Sequence, residues 1–217
     1  MKKWCMALMM LATSVVGMAQ KDMTAVKDEE AFISSVKEKM MQVSSIQSDF
    51  KQVKHMAMMK KDIESSGNFY YSKTDKVCLD YAKPKKSKIV INGDKLLMEM
   101  GGIKDVRNIS SNALMQEMTK VISSCMTGNL QELKANYQLE YWQNETNYLV
   151  KVSPKNASAK KMVDRIELVL LKSDFSVESM KMIETSRRQS ATPDYTEYFF
   201  SNKKLNVSIP SSVFDVK

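Results

Sequence analysis

The chain has one histidine, three cysteines, four prolines and six glycines among its 217 residues. A single histidine leaves every histidine-based triad or acid–base pair resting on His55, and "KQVKHMAMMKK" around it places no acid or nucleophile at a telling spacing. His55 therefore reads as a strand surface residue. Outside the N-terminal leader only Cys78 and Cys125 remain, with no Cys-x-x-Cys and no histidine clustered with them, so zinc ligation and a thioredoxin-like redox pair find no support. Six scattered glycines supply no phosphate-cradling loop. An enzyme would have to work with scattered carboxylates. The sequence thus points away from catalysis and calls for no cofactor or metal.

Long apolar runs are also missing. "MKKWCMALMMLATSVVGMA" begins with Lys2 and Lys3, continues as an apolar run through Val16, and falls short of the ~20 residues needed to span a bilayer. Gly17 and Ala19 stand three and one residues before Gln20, which is the pattern of a cleavable export signal over residues 1–19. Cys5 lies inside that segment and no lipobox cysteine stands at the cleavage point, so lipid attachment to this chain is not expected. Residues 20–217 then form one domain of ordinary size. Loss of Lys2 and Lys3 lowers the formal net charge from +8 to +6. The lysines come in short groups ("KPKK", "AKK", "NKK") without the glycine and aromatic residues of a nucleic-acid module. Each group alone is a solvated surface; together, in an exported protein, they favour an anionic membrane surface or an acidic partner over nucleic acid.

Methionine is abundant, with 19 copies. In "DEEAFISSVKEKMMQV", Phe32, Val36, Met40 and Val43 recur at helical spacing behind the N-cap candidate Asp28, with Glu29 and Glu30 in the first turn. From Ile46 the period changes to two. Strands are expected from Ile46 and Phe50 through "VKHMAMM", then in "SSGNFYYSK", "KVCLDYA", "SKIVI" and "KLLMEM", with a hairpin at Asn92-Gly93-Asp94 and breaks at Gly67 and Pro84. A second helix, capped by Ser110 or Ser111 and ended by Gly128, carries a stripe of Leu114, Met118, Val121 and Cys125 flanked by Met115 and Ile122. Strands resume in "NYQLEYW", "YLVKVSP", "KMVDRIELVLL", "SVESMKMIETS", "DYTEYFFS" and "LNVSIP". The class is α+β, mainly β: antiparallel meanders with one leading and one inserted helix. Alternation in the "KMVDRIELVLL" strand is imperfect, as expected of a strongly curved sheet. Val77, Leu79 and Tyr81 share one strand face, which puts Cys78 on the other with Lys76 and Asp80. With Cys125 in the helix stripe, the two thiols are expected to be free.

Phe50-x-Gln52, "SSGNFYYSK", "CLDYAKP", "KIVINGDKLLMEM", "YLVKVSPKN" and the closing "NVSIPSSVFDV" together resemble the LolA family of periplasmic outer-membrane lipoprotein carriers, in order and spacing over nearly the whole mature chain. The resemblance implies an incomplete, strongly curved antiparallel β-barrel, a half-barrel whose helical lid encloses an apolar cavity for the acyl chains of lipoproteins. It implies a monomeric carrier, loaded by an inner-membrane ATP-driven lipoprotein-releasing transporter and emptied at an outer-membrane receptor or membrane surface. The cavity is expected to be lined by Phe50, Phe69, Tyr71, Leu79, Ile91, Met98, Leu139, Tyr148 and Leu168. The inserted helix, with Leu114, Met115, Met118, Val121, Ile122 and Cys125, would be the lid, although core packing accounts for the same stripe without a ligand. Family members often carry an arginine that ties barrel to lid; here Lys73 stands at that place, and lysine lacks the forked hydrogen bonds of arginine. A sensor or regulatory protein binding a lipid or lipoprotein on the same half-barrel is the alternative.

Overall fold

The computed structural model describes residues 22–73, 76–186 and 192–217; the expected leader, residues 1–19, lies outside the described residues. A two-residue strand β1 (Thr24–Ala25) precedes helix α1 (Glu29–Met41). The first meander comprises β2 (Ser45–His55), β3 (Ile63–Ser72), β4 (Lys76–Lys83), β5 (Ser87–Asn92), β6 (Lys95–Met100) and β7 (Ile103–Asn108). A 3₁₀ turn (Ile109–Ser111) leads into α2 (Ala113–Thr127) and α3 (Leu130–Asn136). The second meander has β8 (Tyr137–Gln143), β9 (Asn147–Pro154), a single helical turn α4 (Ala157–Lys160), β10 (Val163–Leu171), β11 (Val177–Glu184) and β12 (Tyr195–Leu205), and a 3₁₀ turn (Ser211–Phe214) follows.

All twelve strands join one antiparallel sheet in the order β1-β8-β9-β10-β11-β12-β2-β3-β4-β5-β6-β7. The two meanders meet where β12 pairs with β2, with Phe200 opposite Phe50. The sheet ends at β1 on one side and β7 on the other, so the barrel stays open. Its inner face forms one apolar cluster with residues of α1, α2 and α3 (Phe32, Val36, Val121, Leu130, Leu133 among them). A small second cluster lies on the other face, where Phe214 of the C-terminal turn packs with Cys78, Val90 and Leu97.

Local chemistry explains most of the boundaries. The Asp28 side chain accepts a hydrogen bond from the Ala31 amide at 2.9 Å and starts α1 as expected, and Phe32, Ile33, Val36 and Met40 are its buried residues. The cap of α2 is Asn112, whose side chain accepts from the Met115 amide at 3.1 Å. The expected Ser110 and Ser111 instead belong to the 3₁₀ turn, where the Ser111 hydroxyl donates to the Asn108 carbonyl. Gly128 ends α2 in the left-handed conformation with φ 71°, and a Cβ there would lie 2.6 Å from Lys37 Cα, so glycine also lets this helix end abut α1.

Several elements differ from the sequence reading. The β2 strand stops at His55 rather than running through Met59, because the chain turns at residues 56–62 to form the hairpin with β3. Gly101 and Gly102, both at positive φ, form a tight turn that adds β7, an edge strand the periodicity did not reveal. Residues 130–136, expected to be a short turn into "NYQLEYW", form α3, whose Leu130 and Leu133 are buried. The segment "LNVSIP" is not a strand beyond Leu205; it leads the C-terminal turn over the outer face. In β10, a register shift between Val163 and Arg165 brings Val163 into the same cluster as Ile166, Leu168 and Leu170, so a bulge breaks the alternation.

Gly67 is the sharpest local constraint. It does not break a strand; it sits inside β3, opposite Phe50 on one side and Tyr81 on the other. A Cβ there would lie 2.0 Å from the Asp80 carbonyl oxygen, which is backbone and cannot swing away. Gly67→Ala is expected to destabilise the fold by about 2–3 kcal/mol, the upper part of the overpacking range, read as a lowered urea midpoint with unchanged slope.

Candidate functional site

The concave face of the half-barrel gathers the residues singled out in the sequence. Phe50, Phe69, Tyr71, Leu79, Ile91 and Leu168 are buried members of the main apolar cluster, and Met98, Leu139 and Tyr148 are partly buried against it. Val77, Leu79 and Tyr81 belong to this cluster, and Cys78 belongs to the second cluster on the other face. Aromatic contacts run across the strands, with Phe50 edge-on to Tyr81 at 5.0 Å and Phe69 edge-on to Phe200 at 5.1 Å. The Tyr81 and Tyr198 hydroxyls stand 3.4 Å apart inside this face, and burial raises both phenol pKa values. Near the strand ends, Ile46, Phe69, Val177 and Phe200 surround an apolar niche of about 10 Å³, bordered by the buried Ser48 and Ser176 and by Lys203. Burial lowers the Lys203 pKa, and its ammonium donates to the Val177 carbonyl at 3.2 Å.

Three helices lie against this face. From α1, Phe32 inserts between Tyr148, 4.6 Å away, and Tyr141, 5.2 Å away, while Tyr148 stacks on Phe175. Periodicity placed Phe32 on a buried helix face, but its aromatic partners come from β8, β9 and the β10–β11 turn, which no local pattern connects. From α2, Val121 and Cys125 are buried in the cluster and Met115 and Ile122 pack against it. Leu114 and Met118 lie in the same helix; their side chains are outside the described residues.

The α2 stripe also contains a carboxylate that the apolar pattern passed over. Glu117 stands one turn before Val121, on the buried face, and is buried itself. It accepts a short hydrogen bond from the Tyr137 hydroxyl of β8 and another from Lys120 Nζ at 3.2 Å. Burial first, and then the hydrogen bond and negative charge of Glu117, push the Tyr137 phenol above its ordinary range. Among the described residues this is a side-chain tie between the inserted helix and the barrel wall. The only sequence signal for it is a lone acid on an apolar helix face.

Lys73 does not reach the inserted helix. Its ammonium donates to the Met41 carbonyl at 2.5 Å, and its backbone amide donates to the Ser44 carbonyl at 2.9 Å. It thereby places a cation at the C-terminus of α1, where the helix dipole favours it. The single histidine is likewise structural in position: His55 Nδ1 lies 2.8 Å from Asp62, and the ring stacks on Tyr195 at 5.0 Å. That acid escaped the local spacing because it sits across the hairpin turn.

Both thiols are free and buried. Cys78 lies on the outward-facing side of its strand, as read from the sequence, but the C-terminal turn covers it. Burial raises each cysteine to a pKa of about 12, from 9.0 in an open environment; for Cys78, Lys88 works against the rise and Asp80 adds to it. Among the described residues there is no cluster of histidine, cysteine or acidic side chains able to hold a metal, and no helix long and apolar enough to cross a membrane.

An open antiparallel barrel whose apolar concave face is roofed by helices is the architecture of this chain. The chain belongs to the LolA family: the family model described as "Outer membrane lipoprotein carrier protein LolA" matches residues 41–217. Among solved structures the chain is similar to a LolA superfamily protein from Nitrosomonas europaea, with 13% identity, a TM-score of 0.44, and coverage of 84% of this chain and 97% of that one. It is also similar to a putative outer membrane lipoprotein-sorting protein domain from Vibrio parahaemolyticus, with 10% identity, a TM-score of 0.48, and coverage of 85% and 95%. A third is the lipoprotein LppX of Mycobacterium tuberculosis, at 9% identity and a TM-score of 0.40, covering 84% of this chain and 99% of that one. No curated protein matches the chain.

Tyr137→Phe removes a donor from a buried carboxylate, which costs about 1–3 kcal/mol and should appear as a lowered thermal midpoint, with faster labelling of Cys125 by a thiol reagent. In the native protein at neutral pH Cys78 and Cys125 should react slowly, and both should titrate after denaturation of non-reduced protein. Because the folded thiols deprotonate near 12 and unfolded ones near 9, their contribution to stability is complete below pH 9 and is lost as pH rises from 9 towards 12. Replacing both cysteines with alanine should flatten that alkaline decline.

Proposed function

We propose that the protein is a periplasmic carrier that holds the acyl chains of lipoproteins against its concave face and takes them from the inner to the outer membrane. The observation that supports this reading is that nine residues expected to line a cavity, Phe50 and Leu168 among them, belong to or pack against one apolar cluster shared with the roofing helices, in a chain of the LolA family. An acyl chain in water is unfavourable by about 0.8 kcal/mol per CH₂, so a dozen exposed methylenes cost about 10 kcal/mol. A carrier recovers that by exchanging water for apolar side chains. No covalent step is needed.

Loading then requires α2 to move off the concave face. Met115 suits such a move, because an unbranched thioether side chain repacks with little strain whether it meets the barrel wall or an alkyl chain. The Glu117–Tyr137 hydrogen bond resists it, since lifting the helix breaks a buried charged contact. Lys73 holds the C-terminal end of α1, and the end of α2 at Gly128 packs against the same part of α1, so that contact must also open. In this scheme an ATP-driven lipoprotein-releasing transporter loads the carrier at the inner membrane, and a receptor or the membrane surface receives the cargo at the outer membrane. The carrier works as a monomer.

Mass spectrometry of protein purified under native conditions should find lipoprotein or other acyl-chain lipid bound. Leu168→Glu or Ile91→Glu, each placing a carboxylate without a partner among apolar side chains, should abolish lipoprotein release from inner-membrane vesicles. Normal release by both variants, shown to be folded by circular dichroism, would exclude the concave face as the cargo site.

A further inference from the structure

The geometry points to a second surface, distinct from the concave face: the end of the half-barrel bearing the β2–β3, β4–β5 and β6–β7 turns docks on an anionic lipid surface. Antiparallel pairing puts these three turns at one end of the sheet, since Ser66 pairs with Lys83, Tyr81 with Ser87 and Met100 with Ile103. Large apolar side chains are exposed there in an unusual concentration. Met58 is 69% exposed and Met59 45% in the β2–β3 turn, while Met100 and Ile103 are 68% and 76% exposed around the β6–β7 turn. A globular surface leaves single apolar side chains exposed, but here they gather at the tips of neighbouring hairpins.

Cations stand beside them. Lys60 and Lys61 directly follow the exposed methionines, and Lys85 and Lys86 occupy the β4–β5 turn, all four exposed and none in a salt bridge among the described residues. The acids at the base of the β2–β3 turn are engaged within the protein: Asp62 with His55 Nδ1, and Asp194 with the Ala57 amide at 2.7 Å. The turns at the opposite end carry the acids Asp94, Glu145 and Asp174 together with Lys73 and Lys172, and Met41 is exposed beside Lys73, so the two ends differ in the number of exposed apolar side chains and in the acids among their turns. Exposed methionine and isoleucine flanked by lysine is the composition that enters the acyl boundary of a bilayer while placing ammonium groups at the phosphates. A protein partner would need a shaped apolar pocket for these tips, whereas a fluid lipid surface receives protruding, separately mobile side chains.

This surface goes beyond the carrier reading and stands without it. Co-sedimentation of the whole protein with vesicles of phosphatidylglycerol and phosphatidylethanolamine, set against phosphatidylcholine vesicles, tests it. The protein should pellet with the anionic vesicles at least about tenfold more tightly than with the neutral ones, and high salt should release it. Met58→Ser with Met59→Ser, and separately Lys60→Gln with Lys61→Gln, should each weaken the binding about tenfold with the thermal midpoint unchanged. Lys95→Gln, at the opposite end, should bind as the parent does. Absence of binding, equal binding to neutral vesicles, or an affinity equal to the parent's in either double variant would overturn the proposal. Lipid taken into the barrel leaves the protein in the supernatant, so failure of the carrier reading and failure of the docking surface give different results.

Discussion

An antiparallel sheet that curls without closing has an apolar concave face and no partner sheet to cover it. Everything else in this protein is arranged around that requirement. The α1, α2 and α3 helices supply the cover, and they do so by contributing Phe32, Val36, Val121, Cys125, Leu130 and Leu133 to the cluster built by the strands. The edges at β1 and β7 are the remaining consequence of leaving the barrel open. A closed barrel of the same strands would have no edges, but it would also have no side from which a helix could be lifted.

The way the cover is held differs from helix to helix. Aromatic packing anchors α1 through Phe32, and the cation of Lys73 sits at its C-terminus. By contrast, α2 combines an apolar face with one buried carboxylate bonded to Tyr137. Apolar contacts are non-directional and survive small shifts, whereas a buried charged hydrogen bond is made in one geometry and expensive to leave unmade. That combination favours one closed position without demanding rigid packing along the whole helix. Cys125, on the buried face of the same helix, would report any movement of that helix, because burial suppresses its thiolate.

The outer face shows that the sheet is not simply apolar inside and polar outside. Cys78, Val90 and Leu97 form a patch there which the C-terminal turn covers with Phe214, helped by a hydrogen bond from the Asn92 amide to the Phe214 carbonyl at 3.1 Å. This explains why alternation along β4 and β5 is weak: consecutive residues Val77, Cys78 and Leu79 are all buried, on two different faces. Reading such a run as a strand with two covered faces requires knowing that the tail returns over it.

Period-two alternation, the Asn92-Gly93-Asp94 turn, the Asp28 cap and Gly128 were enough to read antiparallel meanders and two principal helices, because each of these is decided by neighbours within a few residues, whereas the inward set of Phe50, Phe69, Leu79, Ile91 and Leu168 was implied only by the family resemblance. The family resemblance added the half-barrel, and residues 41–217 match that family. What only the tertiary structure decided depends on contacts between distant segments. Glu117 is a lone acid on an apolar helix face with no partner in the local sequence until Tyr137, 20 residues on, is brought against it. The break in β10 is a bulge set by its pairing with β11, and α3 is a helix because Leu130 and Leu133 find the roofed face. Lys73, standing where family members often carry an arginine, meets the end of the first helix, since β2 carries the chain directly from α1 back to the turn beside it. Local patterning determines which face of each element is apolar; only the closing of the sheet around its helices determines what that face meets.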